Sequence, residues 1–318
     1  MIEEIKKNKK IFLTFGDGSK SLKGAAKRLA NQVKKINIFN TIIAADLNFI
    51  KKNCYKKYLN NKNILNKKTR GFGYWIWKSI LLDWAINTYP KNSIIMYADC
   101  GCEVYKDGYR NFLYYLTQCY KYGAVFFKLP FHEAEWTKMD LFKNKKINIK
   151  NIDNHNQVQA TFFLIKNIKE NKKLISDWYD ISYEDNYHFL DDTPSIKKNH
   201  KDFIEHRHDQ SILSCLVFKN KFNTNAYGYN FNLSQLSYIN SPFKRFFIHC
   251  LRNKKGKSLL RSSKFSKSSS RIYLELYFFF EKLYFIFKTN VVKSRFLREV
   301  FLRKYRFLRK VFLKKNRS

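Results

Sequence analysis

Short apolar runs alternate with amphipathic stretches through the first 250 residues, the order of elements expected of a layered α/β fold. Ile11 to Phe15 is an apolar run closed by Gly16-Asp17-Gly18 and reads as a strand followed by a turn. From Ser21 to Ile36 the residues Leu22, Ala25, Ala26, Leu29, Ala30 and Val33 recur at helical spacing, with Ser21 as the expected cap. Thr41 to Ala45 predicts a second buried strand closed by Asp46. Residues 51–69 are rich in Lys and Asn and weakly patterned, which predicts a loop with at most one short helix. Tyr74 to Asn87 reads as a helix, and Ser93 to Ala98 as a strand running into Asp99-Cys100-Gly101-Cys102-Glu103. Beyond these the spacing predicts helices over 108–120, 169–179 and 209–218 and strands over 124–129 and 159–165.

The texture changes at Lys254. Residues 254–271 combine Gly256 and seven serines with scattered basic residues and read as a linker, so the globular domain is expected to span 1–253. Within the remaining 272–318 the segment FLREVFLRKYR (296–306) returns as FLRKVFLKKNR (307–317), and an eleven-residue period is the spacing of a helix. On a helical wheel Phe296, Val300, Phe301, Phe307 and Phe312 fall in one half and Arg298, Arg303, Arg306 and Arg309 in the other. That tail reads as a basic, aromatic amphipathic segment lying on an anionic membrane, or as a helix pair folded back onto the domain.

Charge sharpens this picture. The chain has 62 Lys+Arg against 25 Asp+Glu, a net +37, so polyanions are its expected surroundings. Residues 243–318 hold 23 of the basic residues and only Glu275, Glu281 and Glu299, which concentrates the excess in the tail. At 45% hydrophobic residues the chain has ample material for a core, which excludes wholesale disorder. The six cysteines include no CxxC pair and the first residues lack a long apolar run, so a reduced, cytoplasmic location is expected. The most lipophilic stretch, Ile272 to Phe287, is broken by Glu275, Glu281 and Lys282, which argues against a spanning helix and for peripheral membrane association.

Chemistry concentrates in a few places. In RGFGYWIWK (70–78), Gly71 and Gly73 let the backbone approach a ligand, while Arg70 and Lys78 suit a diphosphate. Helical spacing places Tyr74, Trp77 and Lys78 on one side and Trp75 with the core leucines on another, so either an aromatic lines a pocket or both tryptophans are core. Asp99 ends a buried strand, where open α/β sheets hold their ligands. With Glu103 it suits a hard divalent ion, or it simply closes a turn. Asp209 and Gln210 open the helix of HRHDQSIL, with Asp209 as ligand or N-cap. His249, in FFIHCLRN, is a core histidine or a ligand, and Glu133 with Trp136 in HEAEWTK offers a carboxylate and an aromatic platform.

Together, RGFGYW-x-WK, Y-x-D-x-G-C, QVQATFFLIKN, HDQSIL and IHCLRN resemble bacterial glycosyltransferases of surface-polysaccharide clusters, in the nucleotide-diphospho-sugar transferase class. The resemblance covers about Ile11 to Asn253 and implies a GT-A type α/β fold, a mixed sheet flanked by helices. It implies donor binding by Arg70, Gly71, Gly73, Tyr74, Trp77, Lys78 and Asp99, and catalysis by Asp209 and Gln210. A divalent cation (Mn or Mg) is implied on Asp99, Glu103 and His249, although Gly101 stands where a second acid of a DxD element belongs. Glu133 and Trp136 are expected on the acceptor side, the acceptor being a glycan or a lipid-linked glycan. Two other classes compete: a basic nucleic-acid-binding protein, against which the tail's Phe and Leu pairs and the lack of a helix-turn-helix, zinc-finger or RRM signature argue, and a membrane adaptor that has kept the fold without the chemistry.

Overall fold

The computed structural model describes residues 7–104, 109–152, 155–222, 248–249 and 253–257. Its centre is a five-stranded sheet in the order β2-β1-β3-β8-β5, made of β1 (Lys10–Phe15), β2 (Thr41–Ala45), β3 (Ile94–Ala98), β5 (Ala124–Val125) and β8 (Phe162–Lys166). β1 is parallel to β2 and β3, whereas β8 runs antiparallel to β3 and to β5. This mixed sheet, flanked by helices, is the expected fold class.

Strict alternation along the strands gives each face its own core. Ile11, Leu13 and Phe15 of β1, Tyr97 of β3 and Phe163 and Ile165 of β8 pack with α4 (Trp77–Thr88), α8 (Lys169–Tyr183) and α9 (His208–Lys219). The intervening residues Phe12, Met96, Phe162 and Leu164 pack with α1 (Lys20–Lys34) and α5 (Tyr109–Tyr122) on the opposite face. At about 1.5–3 kcal/mol for each large apolar side chain removed from water, the two cores dominate the driving force for this fold. Two small antiparallel ribbons flank the sheet: β4 (Glu103–Val104) with β9 (Ile248–His249), and β6 (Lys128–His132) with β7 (Asn156–Val158).

Several boundaries differ from expectation for identifiable reasons. The first helix is capped by Ser19, whose extended backbone lets its hydroxyl accept from Leu22 N at 3.1 Å. Ser21 instead bonds the carbonyl of Lys254. Residues 47–61 form two helices, α2 (Leu47–Asn53) and α3 (Tyr55–Asn61), whose pattern is weak because each buries a single residue, Ile50 and Asn61. The run 124–129 divides after Val125, since Phe126 and Phe127 fill the core while the chain passes from the main sheet to β6.

Residues 253–257 still belong to the packed body. Arg28, almost fully buried, donates to the carbonyls of Cys100 and Cys102, each at 2.8 Å, and to those of Asn253 and Lys255. The amphipathic tail at 272–318 and most of the expected linker lie outside the described residues. Among the described residues no helix is long and apolar enough to cross a membrane.

Candidate active site

The glycine-rich segment does not begin a helix; it winds the opposite way. Gly71, Phe72, Gly73, Tyr74 and Trp75 all have positive φ (60°, 59°, 95°, 48° and 62°), a single left-handed turn that costs L-residues roughly 1–2 kcal/mol each. The glycines relieve part of that cost, and Gly71 is needed twice over, because a Cβ there would lie 2.4 Å from the Trp75 ring. The turn is held by Trp77, whose indole Nε1 donates to Gly71 O at 3.1 Å while its ring stacks on Phe15 at 4.1 Å. The expected helix therefore starts at Trp77. Tyr74 and Trp75 precede it and pack against His208, with centroids 5.3 and 5.4 Å away, so the sidedness read from a helical wheel does not apply to them. Trp77 is core.

One residue later stands Lys78, nearly fully buried at the edge of the sheet where β1 and β3 end. Its Nζ lies 2.9 Å from Asp209 Oδ2, 3.3 Å from Asp99 Oδ1 and 3.1 Å from the Ala160 carbonyl. Lys78 thus donates to the Ala160 carbonyl and forms ion pairs with both carboxylates, so its charge holds the two acids together. Tyr97 adds a hydrogen bond to Asp99 Oδ1 at 2.6 Å. Four segments remote in sequence thus meet at one amine: RGFGYWIWK gives Lys78, YADCGC gives Asp99, QVQATFF gives the Ala160 carbonyl and HDQSIL gives Asp209.

The electrostatics follow from one cation between two acids. Burial works against the charge on Lys78, but Asp209 and Asp99 outweigh it and raise its pKa above the ordinary lysine value. Burial pushes Asp209 up to about 6, opposed by Lys78 and reinforced by Asp99. One cation thus faces two carboxylates. Asp209 is thereby not an N-cap: it occupies the first turn of α9, and its carboxylate is turned to Lys78. Asp99 is the open member, its side chain 30% exposed against 6% for Asp209.

Gln210 is fixed from both ends. Its amide donates to Gln157 Oε1 at 2.7 Å and its carbonyl oxygen accepts from Ala160 N at 3.2 Å. Gln157 in turn donates to Glu133 Oε1 at 3.2 Å, and Glu133 also accepts from Thr137 at 2.5 Å and from Ser214. Glu133 is buried, and burial pushes it up to about 7 against those hydrogen bonds. It therefore supports Gln210 from beneath instead of facing an acceptor. Trp136 is covered by the Arg207 guanidinium, 3.6 Å above its ring.

Arg70 lies at the rim. It pairs with Asp192 at 2.8 Å and more loosely with Glu205 at 3.9 Å, with about half of each side chain exposed. Asp192 belongs to a well-anchored loop: buried Lys138 bonds the Thr193 carbonyl at 3.1 Å, and Asp140 accepts from the backbones of Ile196 and Lys197.

The described residues do not assemble the expected metal site. Glu103 is fully buried, with Oε1 accepting from Asn253 at 2.6 Å and Oε2 from Gln32 at 3.1 Å, which leaves it a structural carboxylate between α1 and the 253–257 segment. His249 pairs with Glu103 in backbone register, and its side chain lies outside the described residues. Among the described residues no three His, Cys, Asp or Glu side chains converge on one point. Of the two expected ligands whose side chains are described, Asp99 is partly open and Glu103 is buried.

Sequence reasoning passed over Tyr97, Gln157, Asp192 and His208. Tyr97 had a readable signal, since positions two apart on a strand share a face and Tyr97 precedes Asp99 by two. The other three depend on contacts between distant segments.

No protein-family model matches the chain, and no curated protein sequence does. Among solved structures, apo mouse xyloside xylosyltransferase 1 is similar to it, with 10% identity and a TM-score of 0.40 over 76% of this chain and 96% of that one.

Proposed function

We propose that the chain transfers a sugar from a nucleoside-diphosphate donor to a glycan or lipid-linked glycan at a membrane surface, with the donor bound where Lys78, Asp99 and Asp209 meet. One observation carries the reading. The motifs by which the sequence resembles nucleotide-sugar transferases are scattered along the chain, yet four of them converge on the Lys78 amine at the strand-end edge of a mixed sheet, where α/β folds bind nucleotides.

In this reading Lys78 is the positioning residue that holds Asp99 and Asp209 a fixed distance apart. Asp99, the exposed carboxylate, accepts hydroxyl hydrogens of the donor, and Gln210, locked by Gln157 and Ala160, offers amide groups beside it. Arg70 takes the diphosphate. Its present ion pairs are half-exposed and exposed pairs contribute only about 0.2–1 kcal/mol, so a doubly charged phosphate displaces them readily. As the bond to the donor sugar breaks, negative charge grows on the departing diphosphate and the guanidinium stabilises it. The basic tail at 272–318 docks the enzyme on anionic lipid.

A thermal-shift panel tests this. Nucleoside-diphosphate sugars should raise the melting temperature more than the matching monophosphates, as a ligand that binds only the folded state does. Stabilisation by duplex DNA or RNA with no response to any nucleotide sugar would favour the nucleic-acid reading instead.

A further inference from the structure

His208 precedes Asp209 in the chain and is held tightly at the rim. It is buried, its backbone sits at φ 52°, and its ring is packed against both aromatics of the left-handed turn, Tyr74 and Trp75. A non-glycine residue in that conformation is uncommon and costs energy that the surrounding packing must supply.

The tautomer follows from its partners. Nδ1 lies 2.8 Å from the Leu190 carbonyl, which can only accept, so Nδ1 carries the hydrogen. Burial lowers the pKa of His208, while the Leu190 carbonyl and Asp192 act the other way. The ring is thus neutral near pH 7 and Nε2 is a bare acceptor. Nε2 is buried without any hydrogen-bond partner, and its nearest charged neighbour is Asp192 Oδ1, 3.6 Å away. That same oxygen is held by Arg70 at 2.8 Å. The other titratable groups around the ring are His206, with centroids 5.7 Å apart, Tyr74 and Glu205.

Two acceptors face each other with no hydrogen between them. Leaving a buried polar atom unsatisfied costs its desolvation, and the arrangement is completed by a ligand that brings hydrogens. Adjacent hydroxyls of a sugar do so, one to Nε2 and one to the carboxylate. We propose that His208 Nε2 and Asp192 Oδ1 form a recognition position for neighbouring sugar hydroxyls, closed in the free protein by the Arg70–Asp192 ion pair. The proposal rests on the transferase reading for its biological setting and adds an order of events: a diphosphate that draws Arg70 away frees Asp192 and uncovers Nε2.

The test uses the full chain with 15N-labelled histidine and needs neither turnover nor a nucleotide. In the free protein at pH 7 the His208 signals should show a protonated Nδ1 and an unprotonated Nε2. Glucose, galactose and xylose, titrated singly at millimolar concentration, should include at least one that shifts Nε2, and Arg70→Ala should tighten that response several-fold by removing the pair that closes the site. His208→Asn separates recognition from folding. Its amide can replace the bond to Leu190 and Asn tolerates positive φ, so its melting temperature should stay close to that of the parent while stabilisation by the sugar is lost. A protonated Nε2 in the free protein, no shift with any of the three sugars, or unchanged sugar binding by His208→Asn would overturn the proposal. A sugar response without any nucleotide-sugar binding would leave this site standing and remove the transferase reading.

Discussion

Lys78 is where removing one side chain should cost most. Replacing it with methionine leaves buried Asp209 without its cation and beside Asp99, and loss of one partner from a buried pair costs about 3–5 kcal/mol. Lys78→Met should therefore lower stability by that order in urea titrations, and adding Asp209→Asn should recover part of the loss because the two residues share one interaction. Strict additivity of the two effects would show that the ion pair is not the origin of the cost. Glu133 gives a complementary pH signature. Burial holds it at about 7 in the folded protein against about 4.3 in an unfolded chain. Between those values the folded state keeps a proton that the unfolded state has lost, so stability from this group falls as pH rises from about 4.3 to about 7. Glu133→Gln should remove that slope, and denaturation midpoints measured at pH 5 and pH 8 should draw together by comparison with the parent. An unchanged difference would mean that Glu133 does not titrate in this range.

The left-handed turn from Gly71 to Trp75 shows what a chain pattern conveys and what it conceals. Two glycines beside an arginine announce a close backbone approach, and they mark the segment correctly as special. The run Tyr74-Trp75-Ile76-Trp77 nevertheless fits a helical wheel, and nothing local says that Tyr74 and Trp75 take positive φ. That is decided by the Trp77 bond to Gly71 O and by the stacking of Trp77 on Phe15, contacts supplied by the tertiary fold. Gly71→Ala should destabilise by more than the roughly 1–2 kcal/mol of the left-handed penalty, since its methyl would meet the Trp75 ring at 2.4 Å. Gly73→Ala should cost less, its nearest contact being the Ile64 carbonyl at 3.1 Å. Equal melting temperatures for the two variants would contradict this ranking. Strands β1, β2 and β3 were readable because each is a short apolar run bounded by turn residues. The pair α2 and α3 was not, because each buries one residue and leaves no amphipathic face to detect. Asp99, Lys78 and Asp209 were readable as charged residues at element ends, but their common meeting point was not, because spacing along a chain carries no information about which distant segments become neighbours.

Taken as a whole, the molecule places a buried Lys78–Asp209 pair at one edge of its sheet, with Asp99 partly open and Arg70 half-exposed beside it. That division predicts different consequences for inner and outer residues. Arg70→Ala should leave the melting temperature nearly unchanged, as an exposed ion pair does, while weakening donor binding about tenfold or more through loss of a charge-assisted contact. The net charge of +37 and the basic tail predict salt-sensitive binding to anionic vesicles. Truncation after Lys257, which keeps the carbonyls pinned by Arg28, should preserve the fold and abolish pelleting with such vesicles; undiminished pelleting would place the lipid-binding surface elsewhere. The most direct measurement is a calorimetric titration of the nucleotide sugar that best stabilises the protein into the parent chain and into Asp99→Asn, a variant that keeps the Tyr97 contact and the Lys78–Asp209 pair. The donor site described here predicts saturable binding to the parent and at least a tenfold loss in Asp99→Asn at an unchanged melting temperature. Equal affinity in the two proteins would contradict it.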